Sequence, residues 1–320
     1  MKLGILTSGG DAPGMNAAIR SAVRTAIAKG AEPIGIFRGY EGVLQAEITP
    51  LFWRDVGGIE VRGGTILKTA RFLPFLEETV QQKAADILRK QKIDALLVIG
   101  GDGSMRGAAA LEALGVPTAV VPATIDNDMP GTEDTIGYDT AVNTALYAIR
   151  KIRDTASAHE RAAVLEVMGH HAGHIALAAG LAGGAEFILV PEIPFDETET
   201  AEKLLALTKA GRTNCILICA EGAAHAHELA SKLSAKTNLE ISATNLGYIQ
   251  RGGAPSAHDS ILATTLAAAA TDSLLAGKHG FLASIHQGNV KEISYEEAFT
   301  MKRTLSKALW ALGREIGMGE

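Results

Sequence analysis

The chain of 320 residues is poor in aromatics, at 5%, and has no surplus of positive charge: 36 Asp and Glu stand against 30 Lys and Arg, for a net charge of −6. Without a basic surface or stacking rings, nucleic-acid binding is excluded as the main role. An anionic substrate must then be met by local positive charge. Cysteine is scarce as well, with two in all. Cys215 and Cys219 lie in one strand-like run whose even spacing points both to one face. Two thiols make neither a disulfide framework nor a zinc set, and they read as small buried residues of a reducing cytosol. Long apolar runs are missing too. The stretch from Met1 to Gly10 is too short in apolar residues for a signal peptide, and 175–190 is Gly- and Ala-rich, contains Glu186 and is too weakly apolar to span a bilayer. No Walker G-x-x-x-x-G-K-[ST] pattern, Pro/Gly/Ser linker or low-complexity run occurs. The expectation is a soluble, cytoplasmic α/β protein with no membrane or nucleic-acid partner, long enough for two modest domains or one large one.

What is present is organised around Val121-Pro122-Ala123-Thr124-Ile125-Asp126-Asn127-Asp128. It follows an apolar run, 116–121, that reads as a buried parallel strand ending at Pro122, which withholds a backbone donor. The two carboxylates therefore sit at a strand's carboxyl end, the ligand edge of an open α/β sheet. One carboxylate as base and another as orienting group is what activating a hydroxyl nucleophile requires. A surface turn would be as polar but would not need the Thr-Ile pair ahead of the acids.

From the start, strand 3–6 leads into Thr7-Ser8-Gly9-Gly10-Asp11-Ala12-Pro13-Gly14-Met15-Asn16, a strand-to-helix turn in which Asp11 is expected to cap and Pro13 to open the helix. Glycines here let backbone amides approach a phosphate, although many such turns serve packing alone. Strand 33–37 leads to Arg38-Gly39-Tyr40, and an irregular segment carries Arg71 among small and apolar neighbours. After a helix at 79–90, strand 93–99 delivers Gly100-Gly101-Asp102-Gly103-Ser104, whose glycines can admit phosphates and whose acid can hold a hydrated Mg²⁺. A glycine turn with a helix-capping Asp is the bland alternative, weakened by the acids at the next strand end. Alternation continues through helix 139–156, strand 163–168, helix 172–182, strand 186–190, helix 197–209, strand 214–219, helix 226–236 and strand 239–246. Ser256 and Asp259 are spaced as a capping box for an Ala-rich helix without a polar face, expected to be buried between layers. Strand 281–285 and a last helix close the chain. The fold class expected is α/β, two doubly wound lobes with a cleft between them. His170 and His174 are expected to share a helical face, but no carboxylate or cysteine completes a metal set with them and His171.

The motifs 7–16, 100–104, 124–128, Glu166-Val167-Met168-Gly169 and Gln250-Arg251-Gly252-Gly253, in this order over essentially the full length, resemble the bacterial ATP-dependent 6-phosphofructokinases. The glycine-acid motif alone is weak, since NAD kinases and lipid kinases carry a similar one; the full set is specific. The resemblance implies a nucleotide lobe of 1–138 plus 251–301 and a sugar-phosphate lobe of 139–250 plus 302–320. It implies that Gly10, Tyr40, Arg71, Phe72, Gly101, Asp102, Gly103 and Ser104 contact ATP, with Asp102 serving Mg²⁺. Asp126 would be the base for the 1-hydroxyl of fructose 6-phosphate, with Thr124, Asp128 and Arg71 aiding the transfer. Met168, Gly169, His170, Glu221, Ser242, Tyr248 and Arg251 fall at sugar positions, and Arg161 would reach a neighbouring subunit's sugar phosphate, implying a homotetramer. An ordinary Asp, with a pKa of about 3.9, is ionised and able to accept a proton at pH 7.

Departures from the family are specific. Ala123 stands where ATP users usually carry Gly and pyrophosphate users Lys; with Gly103 it favours ATP. His170 replaces an Arg near the transferring phosphate. Ser242 and Tyr248 replace an Arg and a His that grip the sugar's 6-phosphate. At the family's effector site Arg20, Arg24, Arg153, Glu186 and Arg212 match, but Gly58, Ala210 and Thr213 do not. Beside phosphofructokinase activity, two readings stay open: the same chemistry on another sugar phosphate, such as tagatose or sedoheptulose phosphate, and a non-catalytic sugar-phosphate or nucleotide sensor. The sensor should have lost its chemical groups, yet Arg71, Asp102, Thr124, Asp126 and Asp128 remain.

Overall fold

The computed structural model describes residues 1–317. They divide into two compact units, Met1–Asp139 with Arg251–Arg303, and Thr140–Gln250 with the described residues from Thr304 on. The first unit opens with β1 (Lys2–Ser8), α1 (Met15–Ala28), β2 (Glu32–Ile36), α2 (Gly39–Leu44) and β3 (Ile48–Pro50). A long irregular segment and a 3-10 turn (Leu73–Leu76) lead to α3 (Glu78–Lys90), β4 (Ala95–Gly100), α4 (Asp102–Ala113) and β5 (Thr118–Pro122). After α5 (Tyr138–Ala158), the second unit runs through β6 (Ala162–Val167), α6 (His174–Gly183), β7 (Phe187–Leu189), α7 (Glu197–Lys209), β8 (Ile216–Ala220), α8 (Ala226–Thr237) and β9 (Ile241–Asn245). A 3-10 stretch (Gly247–Arg251) precedes α9 (Ala257–Leu275), β10 (Phe281–His286), β11 (Asn289–Ser294) and α10 (Tyr295–Thr300) of the first unit, and α11 (Lys307–Glu315) belongs to the second.

The first unit's sheet has the order β11-β10-β5-β4-β1-β2-β3. Its central strands pair in parallel, and β3 and β11 close the edges antiparallel. Strands β1, β4 and β5 read as unbroken apolar runs because helices cover both faces of a parallel sheet. Ile5, Leu97 and Ile99 are fully buried, each contributing about 1.5–3 kcal/mol of burial. Strand β1 lies between β2 and β4, so the strand order reverses there, and the crevice beyond the carboxyl ends of β1 and β4 is where such a sheet takes its ligand. The second unit's sheet, β7-β8-β6-β9, is parallel throughout, with β6 flanked by β8 and β9.

Several expectations need correction. The strand does stop at Pro122, the last residue of β5, which pairs with Gly100 and accepts from Ile136 N through its carbonyl, but it begins only at Thr118 and not at 116. Asp11 does not cap α1; Gly14 takes the N-cap position at φ 108°, a conformation that favours glycine, and no side chain caps this helix. Ser256 does cap α9, accepting from Asp259 N, but α9 is buried on one side only, with Ile261 67% exposed. His170 lies on a loop with φ 55° and α6 begins at His174, so the two share no helical face. The hairpin strand β11 and the edge strand β3 escaped notice because short, exposed strands lack an apolar run. Cys215 and Cys219 are both buried, and burial pushes their thiols up to about 11 and about 12, so neither is a thiolate at neutral pH.

Candidate active site

In the first unit, the ends of β1 and β4 meet through Ser8 and Gly100, which are register partners. A methyl group on Gly100 would stand 2.5 Å from the Ser8 carbonyl oxygen, so only glycine admits this approach. The Ser104 hydroxyl donates to that same carbonyl at 3.0 Å, tying the start of α4 to the end of β1. Helix α4 begins at Asp102, with Gly101 at its N-cap, no side chain capping its amides and Ser104 N bonded to the Gly101 carbonyl, so the Asp102 and Gly103 end of the helix, at the carboxyl edge of β4, is suited to an anion. Gly103 is exposed there.

The irregular segment that carries Arg71 is held by a chain of polar bonds. Asn16 donates to the Arg62 carbonyl at 3.0 Å and accepts from Ile66 N at 2.8 Å. The Thr7 hydroxyl donates to the Lys68 carbonyl, and Thr69 donates to that of Gly9, each at 2.8 Å. Gly9 N in turn bonds to the Ala70 carbonyl, so Arg71 and Phe72 follow directly on a stretch laced to the glycine turn. Arg251, expected among the sugar residues, is placed against this turn as well: a methyl on Gly10 would lie 3.0 Å from its Nη1. Tyr40 is inside the unit. It is buried, donates to the Ser104 carbonyl at 2.6 Å and stacks on Phe75, so it supports the 100–104 turn from behind and does not line it. Burial raises its pKa well above 10, and the neighbouring Tyr295 adds to the rise, so it is a permanent donor.

Next to this crevice lies the acidic turn after β5. Ala123 N bonds to the Gly100 carbonyl, and the Thr124 side chain is 3.6 Å from where a Gly101 methyl would stand. Asp126 N donates to Thr124 Oγ1 at 3.3 Å, and that hydroxyl lies 3.4 Å from Asp126 Oδ2. Asp126 and Asp128 are half-buried, alternating with buried Ile125 and Asn127, so the turn points its acids one way and its apolar and amide groups inward. Asp102 suits a cation. Its Oδ2 pairs with Arg106 Nε at 2.8 Å, while its Oδ1 is buried with no hydrogen-bond partner. A buried, unpartnered carboxylate oxygen beside a helix N-terminus suited to an anion fits Mg²⁺, which takes one or two carboxylates plus substrate phosphates.

In the second unit the loops after β6 and β8 carry the expected sugar residues. His170 N donates to Glu221 Oε1 at 2.8 Å, and Met168 N donates to Gln250 Oε1 at 3.3 Å. Gln250, read from the sequence only as part of a motif and given no role, is fully buried and also donates to the Gly247 carbonyl, so it organises the loop that presents Met168 and Gly169. Glu166 is structural: its Oε2 accepts Ala226 N at 2.8 Å and so holds the start of α8. Arg161 is engaged by Glu240 at 2.7 Å, Ser242 donates to the Ala162 carbonyl at 3.3 Å, and Tyr248 is 78% exposed.

The residues matching an effector site form two groups. Arg20 pairs with Glu60 at 3.2 Å, and Arg24 lies over the Trp53 ring at 4.5 Å, both in the first unit. In the second, buried Glu186 accepts from Arg153 at 3.3 Å, lies 3.6 Å from Arg212, and accepts Ile216 N at 2.7 Å.

A parallel sheet whose adjacent strand ends bear a glycine–acid helix start and a Thr-x-Asp-x-Asp turn defines an α/β phosphotransferase. Residues 2–274 match the family "Phosphofructokinase". Over 320 residues the chain is 50% identical to "ATP-dependent 6-phosphofructokinase 1" of Thermus thermophilus, covering 99% of each. It is 46% identical over 315 residues to "ATP-dependent 6-phosphofructokinase 1" of Clostridium perfringens, covering 98% of this chain and 99% of that one. Among solved structures, Pichia pastoris phosphofructokinase in the T-state aligns with a TM-score of 0.89 and 33% identity; the match covers 99% of this chain and 37% of that longer one. The chain belongs to the phosphofructokinase family.

Proposed function

We infer that this chain is an ATP-dependent 6-phosphofructokinase, transferring the terminal phosphoryl group of ATP to the 1-hydroxyl of fructose 6-phosphate to give fructose 1,6-bisphosphate. The observation that carries this reading is the pairing of the open α4 amides beside Gly101 with the Thr124–Asp128 turn on the adjacent strand end. Transfer passes through a loose transition state in which positioning and charge neutralisation do most of the work. The α4 amides, Arg71 and Arg251 supply donors and positive charge to the phosphates, and Asp126 accepts the proton of the attacking hydroxyl, with Thr124 and Asp128 steadying the turn. Asp102 would hold Mg²⁺, which neutralises phosphate charge when bound. On the second unit, Met168, Gly169 and Glu221 bind the sugar, with the His170 amide holding the Glu221 carboxylate in place.

Self-association as a homotetramer, with Arg161 serving a neighbouring subunit's sugar phosphate, and a cytoplasmic location belong to the same proposal. Its support is the family likeness, together with the buried thiols and the lack, among the described residues, of any helix long and apolar enough to cross a membrane. A second reading, the same transfer to a different ketose phosphate, is favoured by Arg161 being engaged by Glu240 and by the uncharged Ser242. A coupled assay with MgATP and fructose, tagatose and sedoheptulose phosphates separates the two. Highest kcat/KM with fructose 6-phosphate supports the first reading; a tenfold preference for another sugar replaces it with the second.

A further inference from the structure

Behind the acidic turn runs a strap, residues 131–137, that no motif singled out. It is anchored at both ends. Glu133 N bonds to the Ile285 carbonyl, Ile285 N donates to the Thr132 hydroxyl at 3.2 Å, and the Arg303 guanidinium donates to the Glu133 carbonyl at 2.6 Å. At the other end Gly137 N donates to Asp259 Oδ1 at 2.9 Å, and Asp259 is fully buried at the start of α9. Between them Ile136 N bonds to the Pro122 carbonyl, and Ile136 bridges Ala123, so the strap is registered against the end of β5.

This register places Thr135, fully buried, beneath the turn. Its hydroxyl donates to the Thr124 carbonyl at 2.7 Å and lies 3.3 Å from the Asn127 side-chain amide oxygen. These contacts bracket Asp126: one fixes the peptide that enters the turn, the other meets the residue that leaves it. Asn127 needs the help, since its φ of 50° is left-handed and its side chain is buried. One hydroxyl carries one proton, which the shorter contact takes. With the Asn127 amide turned so that its NH₂ faces Oγ1, both contacts are satisfied, and the two amide orientations are indistinguishable by shape.

We propose that Thr135 is a positioning residue for Asp126: its hydroxyl clamps both sides of the turn and so sets where the base stands. It touches neither substrate nor nucleotide, and the inference rests on Asp126 being the base. A buried clamp of this kind acts on the transition state more than on substrate binding, because a base displaced by a fraction of an ångström still lets substrates bind.

The test compares Thr135→Val, which keeps the shape and deletes the hydroxyl, with Thr135→Ser, which keeps the hydroxyl, in steady-state kinetics with MgATP and fructose 6-phosphate. The expected result is a kcat lower by roughly 10- to 100-fold for the valine variant, with both KM values within about 3-fold, and a serine variant close to the parent. Asn127→Gly, which keeps the left-handed backbone and removes the other contact, should lower kcat in the same way and decides the matter if the valine variant does not fold. A valine or glycine variant with parental kcat overturns the proposal, as does a serine variant no better than valine or a loss spread over kcat and both KM values. Asp126→Asn run alongside distinguishes the failures: if it also keeps its kcat, the assignment of the base has failed; if it alone collapses, only the clamp has.

Discussion

The Tyr40 hydroxyl donates to the Ser104 carbonyl from beneath the 100–104 turn, at 2.6 Å, with no room for a nucleotide between them. Tyr40→Phe removes one donor from a carbonyl that keeps its partner within α4, which should cost about 0.5–1.5 kcal/mol of stability. The KM for ATP should rise by no more than about 3-fold, since the ring supports the loop and does not meet the phosphates. Thermal melts and ATP titration check both. A tenfold rise in KM with an unchanged melting temperature would make Tyr40 a direct ligand.

Motifs at strand ends were legible in the sequence because glycines and acids there have few other uses. The turns at 100–104 and 124–128 and the alternation of strands and helices could be read that way, helix 197–209 to the residue. What stayed hidden depends on contacts between distant segments. Nothing around Tyr40 announces that its hydroxyl is spent on a residue 64 positions away. Arg251 was grouped with the sugar by resemblance, yet its guanidinium abuts Gly10 of the first turn, a proximity created by the return of the chain to its first unit. Thr135 goes unnoticed in the sequence, and Gln250 and Asp259 stand out only as a motif member and a capping-box partner; all three are polar side chains made important by burial, and burial is not written locally. A polar residue inside an otherwise small and apolar stretch, as at Asp259, is the signal that could have found them.

Gly10 and Arg251 should be coupled. A methyl at position 10 would crowd Nη1 at 3.0 Å and displace the guanidinium. Gly10→Ala and Arg251→Ala should each lower kcat/KM by roughly 10- to 150-fold, the range for one charge-assisted hydrogen bond. In the double variant the glycine change should add little, because the group it disturbs is gone. Fully additive losses in a double-mutant cycle would show that Gly10 acts without Arg251.

The phosphoryl donor should be ATP and not pyrophosphate. Ala123 is 1% exposed and bridges Ile136, so no cation stands at that position, and the exposed Gly103 leaves the α4 end open. Rates with pyrophosphate should stay at least a hundredfold below those with ATP, about 2.7 kcal/mol. Comparable turnover with pyrophosphate contradicts this.

His258 and Asp134 give a pH signature. Partial burial lowers the imidazole pKa, but the hydrogen bond it donates to Asp134 and the charges of Asp134, Asp139 and Asp259 outweigh it, and the net direction is upward. A raised histidine pKa means stability that is fully present below the unfolded value, about 6.5, and is lost as pH rises through the folded value. The parent should therefore exceed His258→Gln in melting temperature most clearly near pH 6, and the gap should narrow by about pH 8. A gap that widens with pH reverses the assignment.

The central claim is that Asp126 takes the proton of the attacking hydroxyl, and single-turnover measurement of Asp126→Asn tests it most directly. Asparagine keeps the shape and cannot accept the proton, so the chemical step with saturating MgATP and fructose 6-phosphate should slow by roughly 10²- to 10⁴-fold. Substrate dissociation constants should change little, because the lost interaction belongs to the transition state. A chemical step within a few-fold of the parent enzyme, with both substrates bound normally, would contradict the account.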